Sequence, residues 1–166
     1  MYRQFMKVIE MNADELSSSL LRTIQGMDEF PHYQGILQDV ARERIFHVIR
    51  NVYERLGNWL NKNKPKNTLF AYYSDLGAQR MREGIPLEEL ITLFLLIKRE
   101  IWHLFREELN SNMDIKRLME VDFYVNHFFD RITIALISGY QEELGKKAIQ
   151  RVVRTHPVAV NGPNRR

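Results

Sequence analysis

The chain has 166 residues, 24 basic and 21 acidic side chains, and no cysteine, with a formal charge of +3. One domain fits that length, and 45% apolar with 27% charged residues is ordinary for a folded protein and too apolar for disorder. Without cysteine there is no disulfide scaffold, zinc ribbon or thiol chemistry, and a reducing, cytoplasmic setting is expected. The charge is unevenly placed: Lys146, Lys147, Arg151, Arg154, Arg165 and Arg166 follow Glu143 with no acid among them. Removing those six from +3 leaves about −3 for residues 1 to 144. A basic tail on an acidic body suggests nucleic-acid binding far less than a basic chain would, and leaves an anchor for nucleic acid or acidic lipid through Lys146 to Arg154 as the weakest alternative.

The opening residues MYRQFMKVIEM are interrupted too often by Arg3, Gln4, Lys7 and Glu10 to serve as a signal peptide. Asn12, with Asp14 and Glu15 behind it, reads as a helix start. Leu16, Leu20, Leu21, Ile24 and Met27 give that helix its apolar face. Pro31 and Gly35 mark a connection. From about Ile36 to Leu60, Ile45, Val48, Ile49, Val52, Leu56, Trp59 and Leu60 recur at threes and fours, which predicts a long core-facing helix. The segment Asn61 to Asn67, NKNKPKN, reads as a loop, and a third helix is expected from Leu69 to Arg82.

Gly84 and Pro86 form the sharpest punctuation: a glycine able to end one helix and a proline suited to start the next. Glu88 and Glu89 stand where a helix N-terminus favours acids. The following helix, to about Leu109, holds the densest apolar run, Leu90 to Ile97, too short for a membrane span. NSNMD, Asn110 to Asp114, ends it. A last helix is predicted from Ile115 to Arg154, where Leu118, Val121, Val125, Phe128 and Ile132 alternate spacings of three and four up to Ala135. That seam predicts packing on another helix, a second subunit's being one candidate. Gly139 marks a kink or a close helix approach. Residues 1–155 are read as one all-α domain and 156–166 as a disordered basic tail.

Chemistry is sparse. Glu100 and His103 have the E-x-x-H spacing, but a di-iron bundle needs a second such pair, and none exists. His103 and His127 lie on apolar helices with Trp102, Phe105, Phe128 and Phe129 nearby, which keeps a haem- or metal-binding bundle as the alternative. No Ser/His/Asp grouping, phosphate-binding glycine loop or paired-carboxylate cleft stands out, so an enzyme is not expected.

The stretch YYSDLGAQRMREGIPLEELITLFLLIKREIWHLF carries a likeness, with Leu76, Gly77, Arg80, the run Glu83 to Glu89 and Trp102 at its centre. It is flanked by ADELSSSLLRTIQ, by FPHYQGIL leading to Asn58, Trp59 and Leu60, and by FDRITIALISGYQEE. Together these resemble the N-terminal domain of RsbR-type proteins, the RsbT co-antagonist (RsbRD) family, over about Met11 to Leu144. The resemblance implies a sensory or regulatory input domain, a globin-like bundle without haem or a simpler one, that dimerises and acts on an output in bacterial stress signalling. Since the chain ends soon after the match, the output is expected to be a separate signalling protein. No cofactor is expected, and a small molecule is a candidate ligand. Arg80, Trp102, His103, Tyr124 and His127 are the pocket candidates, each with a structural role as the simpler reading; Leu118, Val121, Val125, Phe128 and Ile132 are the interface candidates.

Overall fold

The computed structural model describes residues 7, 11–35, 38–60, 66–109 and 115–155, without the side chains of 38, 66, 67, 104–109, 117, 118 and 152–155. Within them lie six helices: α1 Ala13–Gln25, α2 Pro31–Gln34, α3 Gln38–Leu60, α4 Lys66–Arg82, α5 Leu87–Leu109 and α6 Ile115–Thr155. The fold is all-α. The expected tail, 156–166, lies outside the described residues.

The boundaries differ from the sequence expectations in three places. The connection at Pro31 and Gly35 contains a one-turn helix, with Pro31 in its first turn, where a missing N–H costs nothing. Helix α4 begins at Lys66, inside the segment expected to be a loop, directly after a proline, the residue most compatible with a helix start. Asn12 makes no side-chain cap bond to α1; its carbonyl accepts from the Leu16 N–H at 2.8 Å instead.

Direction follows from contacts. Tyr73 meets Phe128 at 6.5 Å between ring centroids, and Arg82 pairs with Glu143 at 3.2 Å, so α4 and α6 run parallel, while α5, which joins them in the chain, runs back past Tyr73 through Phe94. Helix α3 runs against both, its Arg44 facing Glu83 and its Trp59 lying 6.0 Å from Phe128. Helix α1 packs on α3. The core joins Leu20 and Ile24 of α1, Ile45, Ile49 and Leu56 of α3, Tyr73 of α4, Leu90 and Phe94 of α5, and Phe128 and Ile132 of α6. Burying each such side chain stabilises the fold by about 1.5–3 kcal/mol before entropy is counted.

The tightest packing is between α4 and α6, and two glycines permit it. A methyl group on Gly77 would stand 2.9 Å from the Leu136 carbonyl carbon and collide with its oxygen. One on Gly139 would stand 2.8 Å from Ser74 Cα and collide with the Ser74 carbonyl oxygen. The two helices therefore touch backbone to backbone, the close approach that Gly139 signals in the sequence. No helix among the described residues is long and apolar enough to cross a membrane.

Candidate functional site

The Gly84–Pro86 punctuation builds a junction where five helices meet. Gly84 has φ +81°, its N–H donates to the Met81 carbonyl at 3.1 Å, and the Ile85 N–H donates to the Arg80 carbonyl at 3.0 Å. That pair of bonds is the Schellman ending of a helix, which glycine alone adopts without strain. Ile85 is fully buried, and its carbonyl accepts from the Tyr140 hydroxyl of α6 at 3.0 Å. Pro86 sits just ahead of α5 rather than inside it, its carbonyl accepting from the Leu90 N–H at 3.1 Å.

Charged side chains close the junction. Arg80, with only 12% of its side chain exposed, holds Glu83 at 2.7 Å, and Arg44 approaches the same carboxylate at 3.7 Å. Gln79 donates to Glu83 Oε1 at 2.8 Å. Burial works to raise the Glu83 pKa, but the hydrogen bonds from Arg80 and Gln79 outweigh it and hold the carboxyl below its ordinary value. Glu89, in the first turn of α5 and 1% exposed, accepts from the His32 N–H of α2 at 2.9 Å. Beside it Tyr33 is buried, and burial raises its pKa although Arg80 and Arg44 pull the other way. The junction holds no nucleophile next to a base. Its ion pairs tie α3 to the end of α4, and the His32–Glu89 hydrogen bond ties α2 to α5.

Arg80 therefore belongs to this junction. The other pocket candidates lie elsewhere. Tyr124 is half-buried with its ring 5.6 Å from Phe123, and exposed His127 stacks on Phe123 at 6.1 Å and lies 5.4 Å from the Trp59 ring. Tyr140, which touches the junction, is about 20 Å from His127 along α6 at 1.5 Å per residue. Trp102 is half-buried against the core, and His103 is exposed. The five residues do not converge on one pocket. Glu100 is engaged by Arg99 at 3.3 Å, and Glu43 with His47 at 3.8 Å is a surface pair. No group of three His, Cys, Asp or Glu side chains among the described residues is placed to hold a metal ion. A shallow cleft of about 310 Å³ opens between Asp14, Asp39, Arg42, Glu43 and Phe46, with a charged lining.

Of the interface candidates, Val121, Val125, Phe128 and Ile132 are at most 1% exposed and pack into the chain's own core. The side chain of Leu118 lies outside the described residues. The spacing of the seam is satisfied within the chain. What α6 leaves uncovered is its other side: Ile115, Met119 and Phe123, at i, i+4 and i+8, are 73%, 67% and 64% exposed. Sequence reasoning passes over these three because they lie outside the stronger three-and-four seam. Beyond the core, every residue from Leu144 to Arg151 is exposed, and α6 continues as a bare helix with a Glu142–Lys146 pair at 2.7 Å.

The chain is thus a helical domain with an ordered junction, a backbone-tight helix pair and a projecting last helix. The chain belongs to the RsbT co-antagonist protein rsbRD N-terminal domain family, matched over residues 14–154. That span includes the junction, both glycines and nearly all of α6. No curated protein and no solved structure matches the chain.

Proposed function

We propose that the protein is a non-catalytic sensory or regulatory input domain of the RsbR type, working in the cytoplasm as a homodimer and passing its state through α6 to a separate signalling partner. The observation that carries this reading is the form of α6. Its first half is core, yet it presents the Ile115, Met119 and Phe123 stripe outward, and its last turns stand clear of the domain. A helical stretch of about 12–15 residues is marginal alone in water, so a bare helix end gains stability from a partner. Family membership over residues 14–154 supports the regulatory role.

In the dimer, the outer stripe of α6 meets its counterpart on a second copy, and the basic turn carrying Lys146, Lys147 and Arg151 is left for the output partner. Light scattering of the wild type and of Met119→Asp/Phe123→Asp tests this. Both substitutions fall on exposed positions, so the variant should keep its helicity and scatter as one subunit, while the wild type scatters as two. A wild type that stays a single subunit at high micromolar concentration refutes the dimer.

A further inference from the structure

Where α6 leaves the domain, contacts from Leu136 to Glu143 hold it, and they are of two kinds. Leu136 rests on Gly77 and Gly139 on Ser74, backbone against backbone. A glycine has no side chain to rearrange, so these contacts act as a fixed bearing. Tyr140 then donates to the Ile85 carbonyl at 3.0 Å, and Glu143 meets Arg82 at 3.2 Å. Those two links are made by side chains that can move without unpacking the core. Beyond them, from Leu144 to Arg151, every residue is exposed. The direction of the projecting stretch is therefore set between Leu136 and Glu143.

Tyr140 is the contact that reaches into the Gly84 turn itself. Burial and the Glu88 carboxylate raise its pKa against the pull of the Leu87 N–H, so the hydroxyl keeps its proton and remains a donor. On the other side of Gly84 stands Glu83, held by Arg80 at 2.7 Å and approached by Arg44 of α3 at 3.7 Å. Glu83 and Ile85 flank the glycine, and the peptide units between them are planar and stiff. A displacement of Glu83 with α3 is thus passed to the carbonyl that Tyr140 holds, along a contiguous chain of hydrogen bonds and main chain.

We infer that Tyr140 is a positioning residue that couples the junction to the projecting end of α6. When α3 shifts against Glu83, the Ile85 carbonyl moves and carries Tyr140 with it, tilting α6 about the Gly139–Ser74 contact. This coupling rests on the input role proposed above for its use, and it names how a state of the domain reaches the partner-binding end. It is a property of one chain and holds whether or not that chain pairs with a second copy.

The chain has no cysteine, so cysteines introduced at exposed positions take spin labels at defined points. Two pairs, Ala71 of α4 with Gln150 and Leu95 of α5 with Gln150, view the helix end from different sides. Labelled protein diluted into unlabelled chain gives the distance within one copy by pulsed electron spin resonance. Gln150 stands about 10 Å beyond Glu143 at 1.5 Å per residue, so a tilt of about 20° carries it about 3–4 Å. Arg44→Gln, which releases Glu83 from α3, should move Gln150 by about that distance in at least one pair. In Tyr140→Phe the same substitution should move it less than half as far. Tyr140→Leu, which also lacks the hydroxyl, carries the comparison if Tyr140→Phe loses its helicity. Distances that Arg44→Gln leaves unmoved in both pairs overturn the inference, as do equal movements with and without the hydroxyl. A hydroxyl that is merely structural would lower the unfolding midpoint when removed and leave the response to Arg44→Gln intact.

Discussion

Replacing Gly139 by alanine should destabilise the protein, although the same change on an ordinary helix surface stabilises it. Gly139 lies within α6, where alanine is favoured by about 1 kcal/mol on helix propensity. Here the added methyl would lie 2.5 Å from the Ser74 carbonyl carbon and 2.8 Å from its Cα. Carbon atoms rest about 3.5–4.0 Å apart, so the α4 backbone has to retreat by roughly 1 Å along its tightest contact. Overpacking of that kind costs about 1–3 kcal/mol, and because the obstacle is main chain the upper end applies. After the propensity gain, a net loss of about 1–2 kcal/mol remains, or about 2–8 °C in Tm for a chain of this size. Gly145, six positions on in the same helix, supplies the control. A methyl there meets nothing within 4 Å, so Gly145→Ala should be neutral or stabilising by up to about 1 kcal/mol. Urea and thermal unfolding followed by circular dichroism would measure both. If the two alanines act with the same sign, the backbone contact between α4 and α6 is not what the structure says it is.

Three further outcomes follow from the junction. Gly84→Ala forces a side chain into φ +81° and should cost about 1–2 kcal/mol by chemical denaturation, with the methyl itself meeting nothing. Glu89→Ala removes the acceptor of the His32 N–H and should cost about 1–3 kcal/mol, with faster hydrogen exchange at the His32 amide as its local signature. Glu83 is held below its ordinary pKa of 4.5, so its contribution is complete above that pH and is lost as pH falls through the lower folded value. Glu83→Gln should therefore be less stable than the wild type near neutrality and converge with it as the pH falls below 4.5, as an acid titration of unfolding would show.

The helix ending at Gly84 and Pro86 was the most legible part of the fold. Gly84, Pro86 and the acids after them act through local backbone chemistry, and the Schellman turn forms where those residues place it. The one-turn helix at Pro31–Gln34 escaped because four residues are too few to show a period. The spacing of Val121, Val125, Phe128 and Ile132 revealed that one face of α6 is covered, but spacing does not say by what. The cover is the chain's own core, including Tyr73 and Trp59. Gly139 announced a kink or a close approach without deciding between them, and its partner at Ser74 and the reciprocal Gly77–Leu136 contact depend on how α4 and α6 meet in space. The candidate site was partly legible: Arg80 and Glu83 to Glu89 stood in the motif, while Arg44 and Tyr33 joined them only through folding.

The central claim is a dimeric input domain, and native mass spectrometry of the gently purified protein tests it most directly. The account predicts a two-subunit species that becomes a single subunit in Phe123→Asp, with circular dichroism unchanged. A wild-type spectrum showing one subunit at every concentration would contradict it, as would a Phe123→Asp protein that stays paired.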